Sequence, residues 1–448
     1  MSLRDQVQTQ IPGVLADLKS LITIESVSAD PARAAEVERS ARSIVRLLED
    51  LGCPDVRVIR AEGGPPAVIG RFPAPEGMPT VCLYAHHDVQ PEGDPAGWRT
   101  PPFVATEVED RLFGRGTSDD KGGFGVHLAA LRVFGGKPPV GVTVFVEGDE
   151  EVGSVGLPGL LEEHRDELVA DVFVITDSCN WAVGEPAFTT TLRGLAACTV
   201  EVRTLDHALH SGVYGGVVPD ALTTLCRMLA TLHDAKGNVA VAGLATAYAP
   251  ALEYPEDRLR AESGILDGVD WIGSGSFVER IWYKPAVSVI ALDATPVDKA
   301  SNTLIPVARA KISARVAPGD DAAKALAALI AHLNDHAPWG AQVTVTETEI
   351  TEPSVIDFTG PYAEAARAAF TQAWGGVEPV FVGQGGSIPM VGDFGKAFPD
   401  ATILVTAVGD PDSRAHGPNE SLHLGDFAAA CLAETLMLDA FAQLGPEG

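Results

Sequence analysis

Residues 80–89 read Thr-Val-Cys-Leu-Tyr-Ala-His-His-Asp-Val. An apolar run of strand length, Thr80 to Tyr84, leads straight into two histidines and an aspartate. The pattern recurs downstream. Val142 to Val146 runs toward Glu147, Glu150 and Glu151, and Val172 to Ile175 runs into Thr176 and Asp177. Strands that end in polar chemistry are how an α/β protein assembles a site, in the crevice at the carboxyl ends of a parallel sheet.

Working outward, Arg4 to Glu25 and Ala32 to Leu51 carry apolar residues at helical spacing, as in Ile44, Leu47, Leu48 and Leu51. Val56 to Ile59 and Ala67 to Phe72 read as strands, and Phe124 to Val133 and Leu160 to Leu168 as helices. This alternation predicts an α/β catalytic domain with a mostly parallel, helix-covered sheet. Beyond Pro186 the texture becomes β-rich, at Phe188 to Val202, Ala286 to Ile290 and Ala308 to Val316, with helical patterns at Asp220 to Leu232 and Ala322 to His336. No catalytic-looking carboxylate cluster occurs there. After Pro353 come a helix at Tyr362 to Trp374, strands near Val380 and Ile403, and a last helix at Phe427 to Leu444. Because this last block carries His416, the middle block is expected to be an insertion. The division is a catalytic domain in two parts, 1–185 and 353–448, around an inserted α+β domain, 186–352.

The totals narrow the function classes. A chain of 448 residues exceeds what one core usually organises. Thirty-two basic against sixty-one acidic residues give a net charge of −29, which repels nucleic acid and anionic membrane surfaces. No run approaches the roughly 18 consecutive apolar residues of a membrane span, and the first residues lack the basic and apolar regions of a signal peptide. The six cysteines are scattered without a CxxC pair, as expected of reduced thiols in a cytoplasm.

The polar residues at the strand ends form a donor set. His86 and Asp88 lie two apart, Asp119 follows the Gly114-Arg115-Gly116 turn, Glu150 and Glu151 are adjacent, and Asp177 and His416 complete it. Divalent metals take neutral imidazole and ionised carboxylate, and two ions can share one carboxylate. Of two neighbouring glutamates, one can bind metal while the other stays free as a base. Taken singly, each has an ordinary reading: His86 as a buried strand histidine, Glu150 and Glu151 as a solvated loop, Asp177 as a helix cap. Their joint occurrence beside glycines favours the metal reading.

Together these motifs resemble the dinuclear zinc peptidases that include aminoacylase, bacterial desuccinylases and the carnosinase-like cytosolic nonspecific dipeptidases. His86 to Val89 looks like the family's His-x-Asp-Val element, Gly114 to Lys121 matches Gly-Arg-Gly-x-x-Asp-x-Lys, and Glu147 to Ser154 matches Glu-Gly-x-Glu-Glu-x-Gly-Ser. Gln90-Pro91 and the stretch from Gly97-Trp98 to Pro102-Phe103 are similar to the dipeptidase branch in particular. The resemblance implies two zinc ions per subunit, with manganese or cobalt suited to the same donors. Asp119 would bridge them, His86 and Asp177 would hold one, and Glu151 and His416 the other. It further implies Glu150 as general base, Asp88 as the partner orienting His86, and a cis peptide between Asp119 and Asp120.

In the middle block, His210-Ser211-Gly212-Val213-Tyr214-Gly215-Gly216 is similar to the family's lid motif, whose histidine stabilises the oxyanion across a homodimer. Arg315 matches the family's substrate-carboxylate arginine, and Asn302 belongs to the same lid. Gly386 and Ser387 sit in a Gly-Gly-Ser-Ile-Pro stretch that matches its substrate-backbone loop, although Gly383 and Gln384 replace the usual Arg-Glu. His87 stands where many dipeptidases carry an apolar residue, and strand alternation turns it away from His86.

The expectation is a metal-dependent dipeptidase acting on short peptides with a free C-terminal carboxylate. An N-acyl amino acid deacylase or desuccinylase would use the same centre on another acyl group. A non-catalytic protein with a structural zinc is disfavoured, because closed sites rarely keep a free glutamate beside a ligand.

Overall fold

The Thr80–His86 strand runs through the middle of a sheet whose order is Asp55–Ile59, Ala67–Phe72, Gly141–Glu147, Thr80–His86, Val172–Ile175, Thr402–Val405, Ala187–Leu192. The structure is a computed structural model in which residues 1–445 are described. The chain divides into two compact units. One holds residues 1–190, 356–382 and 389 onward, and the other holds 191–355 and 383–388.

In the first unit the four central strands are parallel and the flanking pairs antiparallel. Strands buried on both faces need no polar alternation, so these read as continuous apolar runs. The parallel register pairs His86 with Glu147, Tyr84 with Ile175, and Ile175 with Val405. The carboxyl ends of the strands therefore finish level, and the residues just beyond them fall along one edge.

Helices Leu3–Ile22, Lys121–Val133, Pro361–Ala373 and Leu424–Leu444 share one apolar core, with Val14, Phe124, Phe370, Phe427 and Phe441 fully buried or nearly so. Every residue from Lys121 to Leu131 is buried. Gly123 is required there: a Cβ would stand 2.1 Å from Asp120 Oδ1 and 2.3 Å from Thr176 Oγ1. Lys121 Nζ donates to the carbonyls of Leu21 and Ile24, and burial pushes its pKa down to about 7. The Leu424–Leu444 helix is long and apolar enough to cross a membrane by length and composition. Here its buried Glu434 takes a hydrogen bond at 2.8 Å from His127 Nδ1, and His127 Nε2 lies 2.9 Å from the Tyr84 carbonyl.

The second unit is an antiparallel sheet in the order Ala286–Asp293, Val307–Val316, Gly194–Arg203, Gln342–Thr351. Alternate residues Ala196, Cys198, Val200 and Val202 meet Ala310, Ile312 and Ala314 on one face, where helices Ala221–Leu229 and Ala322–Asp335 close the core through Leu225, Met228, Leu326 and Leu329. The run from Phe188 to Val202, continuous by composition, is two strands that part at Arg193. The Leu160–Leu168 pattern is likewise divided, into Leu157–Glu163 and Arg165–Leu168.

Candidate metal centre

His86 ends its strand fully buried. Its Nε2 lies 3.0 Å from Asp119 Oδ1. Its Nδ1 lies 3.1 Å from the Asp88 carbonyl oxygen and 3.4 Å from the Asp88 carboxylate. The backbone oxygen of Asp88 is thus the nearer partner, while carboxylate Oδ2 accepts from the Glu151 N–H at 3.1 Å. His87 faces elsewhere: its Nε2–H donates to the Pro66 carbonyl at 2.8 Å, and burial holds the ring neutral with a pKa of about 4.

Asp119 stands between two imidazoles. Its Oδ1 faces His86, and its Oδ2 lies 3.0 Å from His416 Nε2. His416 comes from a turn between the strands Thr402–Val405 and Ser421–His423, at a positive φ of 63°, and also lies 3.2 Å from Glu151 Oε2. Gln90 grips the same glutamate, through its N–H to Oε1 at 3.0 Å and its side-chain amide to Oε2 at 2.8 Å. The side-chain carboxylates of Glu150 and Asp177 take no hydrogen bond from the protein among the described residues. The ligand atoms of His86, Asp119 and Glu151 all lie within 4.8 Å of one another, as do those of His86, Glu150 and Asp177. The peptide bond between Asp119 and Asp120 is cis.

This donor set fits a pair of divalent cations. Four carboxylates converge on two imidazoles, and burial together with mutual repulsion pushes the carboxyls of Glu150, Glu151 and Asp177 upward, Asp177 to about 7. Asp119 goes the other way: burial opposes its charge, but hydrogen bonds from His416 and His86 outweigh burial and hold it well below the usual range. Only added positive charge would let all four ionise together. Protons on these buried carboxyls and on the two imidazoles compete with a cation, so affinity measured by titrating metal-free protein should weaken by at least about tenfold from pH 8 to pH 6. An affinity indifferent to pH in that window would count against this cluster as the metal site.

His210, Asn302, Arg315, Gly386 and Ser387 all belong to the second unit. His210 is exposed, and its Nδ1 accepts from the Gly212 N–H at 3.0 Å. The exposed Asn302 receives the Ser211 N–H on its backbone carbonyl at 2.9 Å. Arg315 lies in the Val307–Val316 strand, opposite Leu195 on one side and Ala286 on the other. Gly386 has open space where a Cβ would stand.

Sequence reasoning missed Glu420. Fully buried, it accepts from Arg115 at 2.7 Å, from the N–H groups of Gly116, Ser118 and Asp119, and from the Ser118 hydroxyl. One carboxylate thereby fastens the loop that presents Asp119 to the segment that carries His416. Its only signal was an acidic residue four places after a histidine, which is too common to single out. Supporting groups of this kind typically govern metal affinity by about 10- to 100-fold. Glu420→Gln should weaken metal binding by that order in calorimetric titration, and an unchanged affinity would show that the loop is held by other contacts.

Residues 82–439 match the sequence profile of Peptidase family M20/M25/M40. Cysteinylglycine-S-conjugate dipeptidase of Corynebacterium striatum is 34% identical over 431 residues, covering 95% of this chain and 94% of that protein. Beta-Ala-His dipeptidase of Rattus norvegicus is 29% identical over 444 residues, covering 91% and 88%. The fold is also that of the di-peptidase Dug1p from Saccharomyces cerevisiae, with a TM-score of 0.84 at 24% identity and 98% of each chain covered.

Proposed function

Because this chain belongs to Peptidase family M20/M25/M40, we propose that it is a two-metal dipeptidase that cleaves dipeptides bearing a free C-terminal carboxylate. Its relatives named as dipeptidases favour this over the deacylase alternative. The observation that carries the metal assignment is Asp119, which presents one carboxylate oxygen to each of two imidazoles.

In this reading His86 and Asp177 would hold one ion and Glu151 and His416 the other, with Asp119 a ligand common to both. Zinc is the proposed metal, with manganese and cobalt suited to the same donors. When bound, such a pair lowers the pKa of a water and polarises the scissile carbonyl. Glu150 takes the proton of the attacking water and returns it to the leaving amine. Burial, then the charge of Asp177, raises its proton affinity, as a base working near neutral pH requires. Asp88 orients His86 and steadies the backbone of Glu151. Arg315, with Asn302, Gly386 and Ser387, receives the substrate, and Arg315 selects the terminal carboxylate through a charge-assisted fork. His210 supplies the oxyanion donor to the partner subunit of a homodimer. The proposed compartment is the cytoplasm.

The relatives' names make cysteinylglycine-type and β-alanyl dipeptides the first substrates to try. A panel of these against N-acetyl and N-succinyl amino acids, run with metal-depleted and with zinc- or manganese-restored protein, tests the proposal. Metal-dependent turnover of the dipeptides is expected. Turnover of the acyl amino acids alone would reverse the choice.

A further inference from the structure

Arg193 lies where the long β run parts, and it is only 9% exposed. Its Nε–H donates to the Gly385 carbonyl at 3.1 Å, a terminal N–H reaches toward the Lys284 carbonyl at 3.4 Å, and its backbone N–H donates to the Gln384 carbonyl at 3.2 Å. Gly385 packs so closely that a Cβ there would stand 2.9 Å from the guanidinium. One arginine thus seats the start of the Gly385-Gly386-Ser387 stretch with both side chain and backbone.

Its charge is the unexplained part. Among the described residues no aspartate or glutamate forms an ion pair with Arg193, and none with Arg315. Arg315 is paired with Leu195 across the sheet, and strand alternation puts both on the face opposite the apolar core of Ala196, Cys198, Ala314 and Val316. Arg193, two residues before Leu195, precedes that same face. Burial, then the neighbouring charge of Arg315, holds Arg193 down at about 10. Burying a charge is costly unless it is paired, and a chain of net charge −29 has acidic residues in surplus. Two arginines left together without a carboxylate suit an anion that arrives from outside the chain.

We propose that Arg193 is a positioning and specificity-determining residue of the carboxylate subsite: it seats the Gly385–Ser387 loop and joins Arg315 in a two-guanidinium field for the C-terminal carboxylate of the dipeptide. The inference rests on the reading of Arg315 as the carboxylate arginine, so the test separates the two. Metal-loaded Arg193→Met, Arg193→Lys and Arg315→Met are assayed on one dipeptide and on its C-terminal amide, with metal content and circular dichroism checked for each.

For Arg193→Met the KM of the free-carboxylate peptide should rise roughly tenfold or more, while kcat changes by less than about threefold and the KM of the amide, which feels only the loosened loop, rises by less than about threefold. Arg193→Lys keeps the charge without the fork and should fall between. It also serves should the methionine variant fail to fold. Equal losses on peptide and amide, or a loss confined to kcat, would make Arg193 a loop anchor only and overturn the inference. Unchanged discrimination in both Arg193 variants beside lost discrimination in Arg315→Met would overturn it and leave the Arg315 reading standing. Unchanged discrimination in Arg315→Met would overturn that reading and, with it, the shared field proposed here.

Discussion

Replacing Glu150 with alanine should lower turnover by about 10²- to 10⁴-fold while metal content stays at the wild-type level. The size follows from removing the proposed proton acceptor from the reacting water, and the unchanged metal follows from the four proposed ligands and the proposed bridge that remain. The result is not trivial, because Glu150 shares a cluster with His86 and Asp177 in which every ligand atom lies within 4.8 Å of the others. Proximity alone cannot separate a ligand from a base in such a cluster. Elemental analysis of the purified variant can: loss of one ion would make Glu150 a ligand and leave the base to be found elsewhere. Glu150→Gln is the control for shape, since it keeps the volume and removes the proton affinity.

Asp119→Ala should do more, removing both ions and with them all metal-dependent turnover. Asp119 Oδ1 faces His86 and Oδ2 faces His416, so one truncation takes an anionic donor from each position. The loss of affinity should exceed the about 10- to 100-fold typical for an outer supporting residue. The free imidazoles change too. The pKa of His416, raised to about 11 first by its hydrogen bond to Asp119 and then by that to Glu151, should fall toward the ordinary histidine range. A variant that still bound two ions in titration would place the bridge elsewhere and dissolve the proposed centre.

Much of this was legible from the chain itself, for a physical reason. A buried parallel strand is a short apolar run and a covering helix a 3.6-residue pattern, so Thr80 to Tyr84, Val142 to Val146 and Val172 to Ile175 announced the sheet. Polar residues directly after those runs must lie at the strand ends, which puts His86, Glu150, Glu151 and Asp177 near one edge. What escaped was wherever composition is blind to chain path. The stretch from Phe188 to Val202 has uniform β character, and nothing in it marks Arg193 as the break between two strands. Gly386 and Ser387 looked like part of the closing block, yet residues 383–388 cluster with the middle of the chain.

The sequence by itself determined the α/β class and the strands that end in the candidate donors, because periodicity and residue type are local properties. Only the tertiary structure decided which atoms meet. Parallel register levels the strand ends, Asp119 turns one oxygen to each histidine, the Asp88 carbonyl lies nearer to His86 than its carboxylate does, and Glu420 ties the Asp119 loop to the His416 segment. Those meetings join residues far apart along the chain, and their geometry depends on backbone paths and hydrogen-bond donors that no local pattern records.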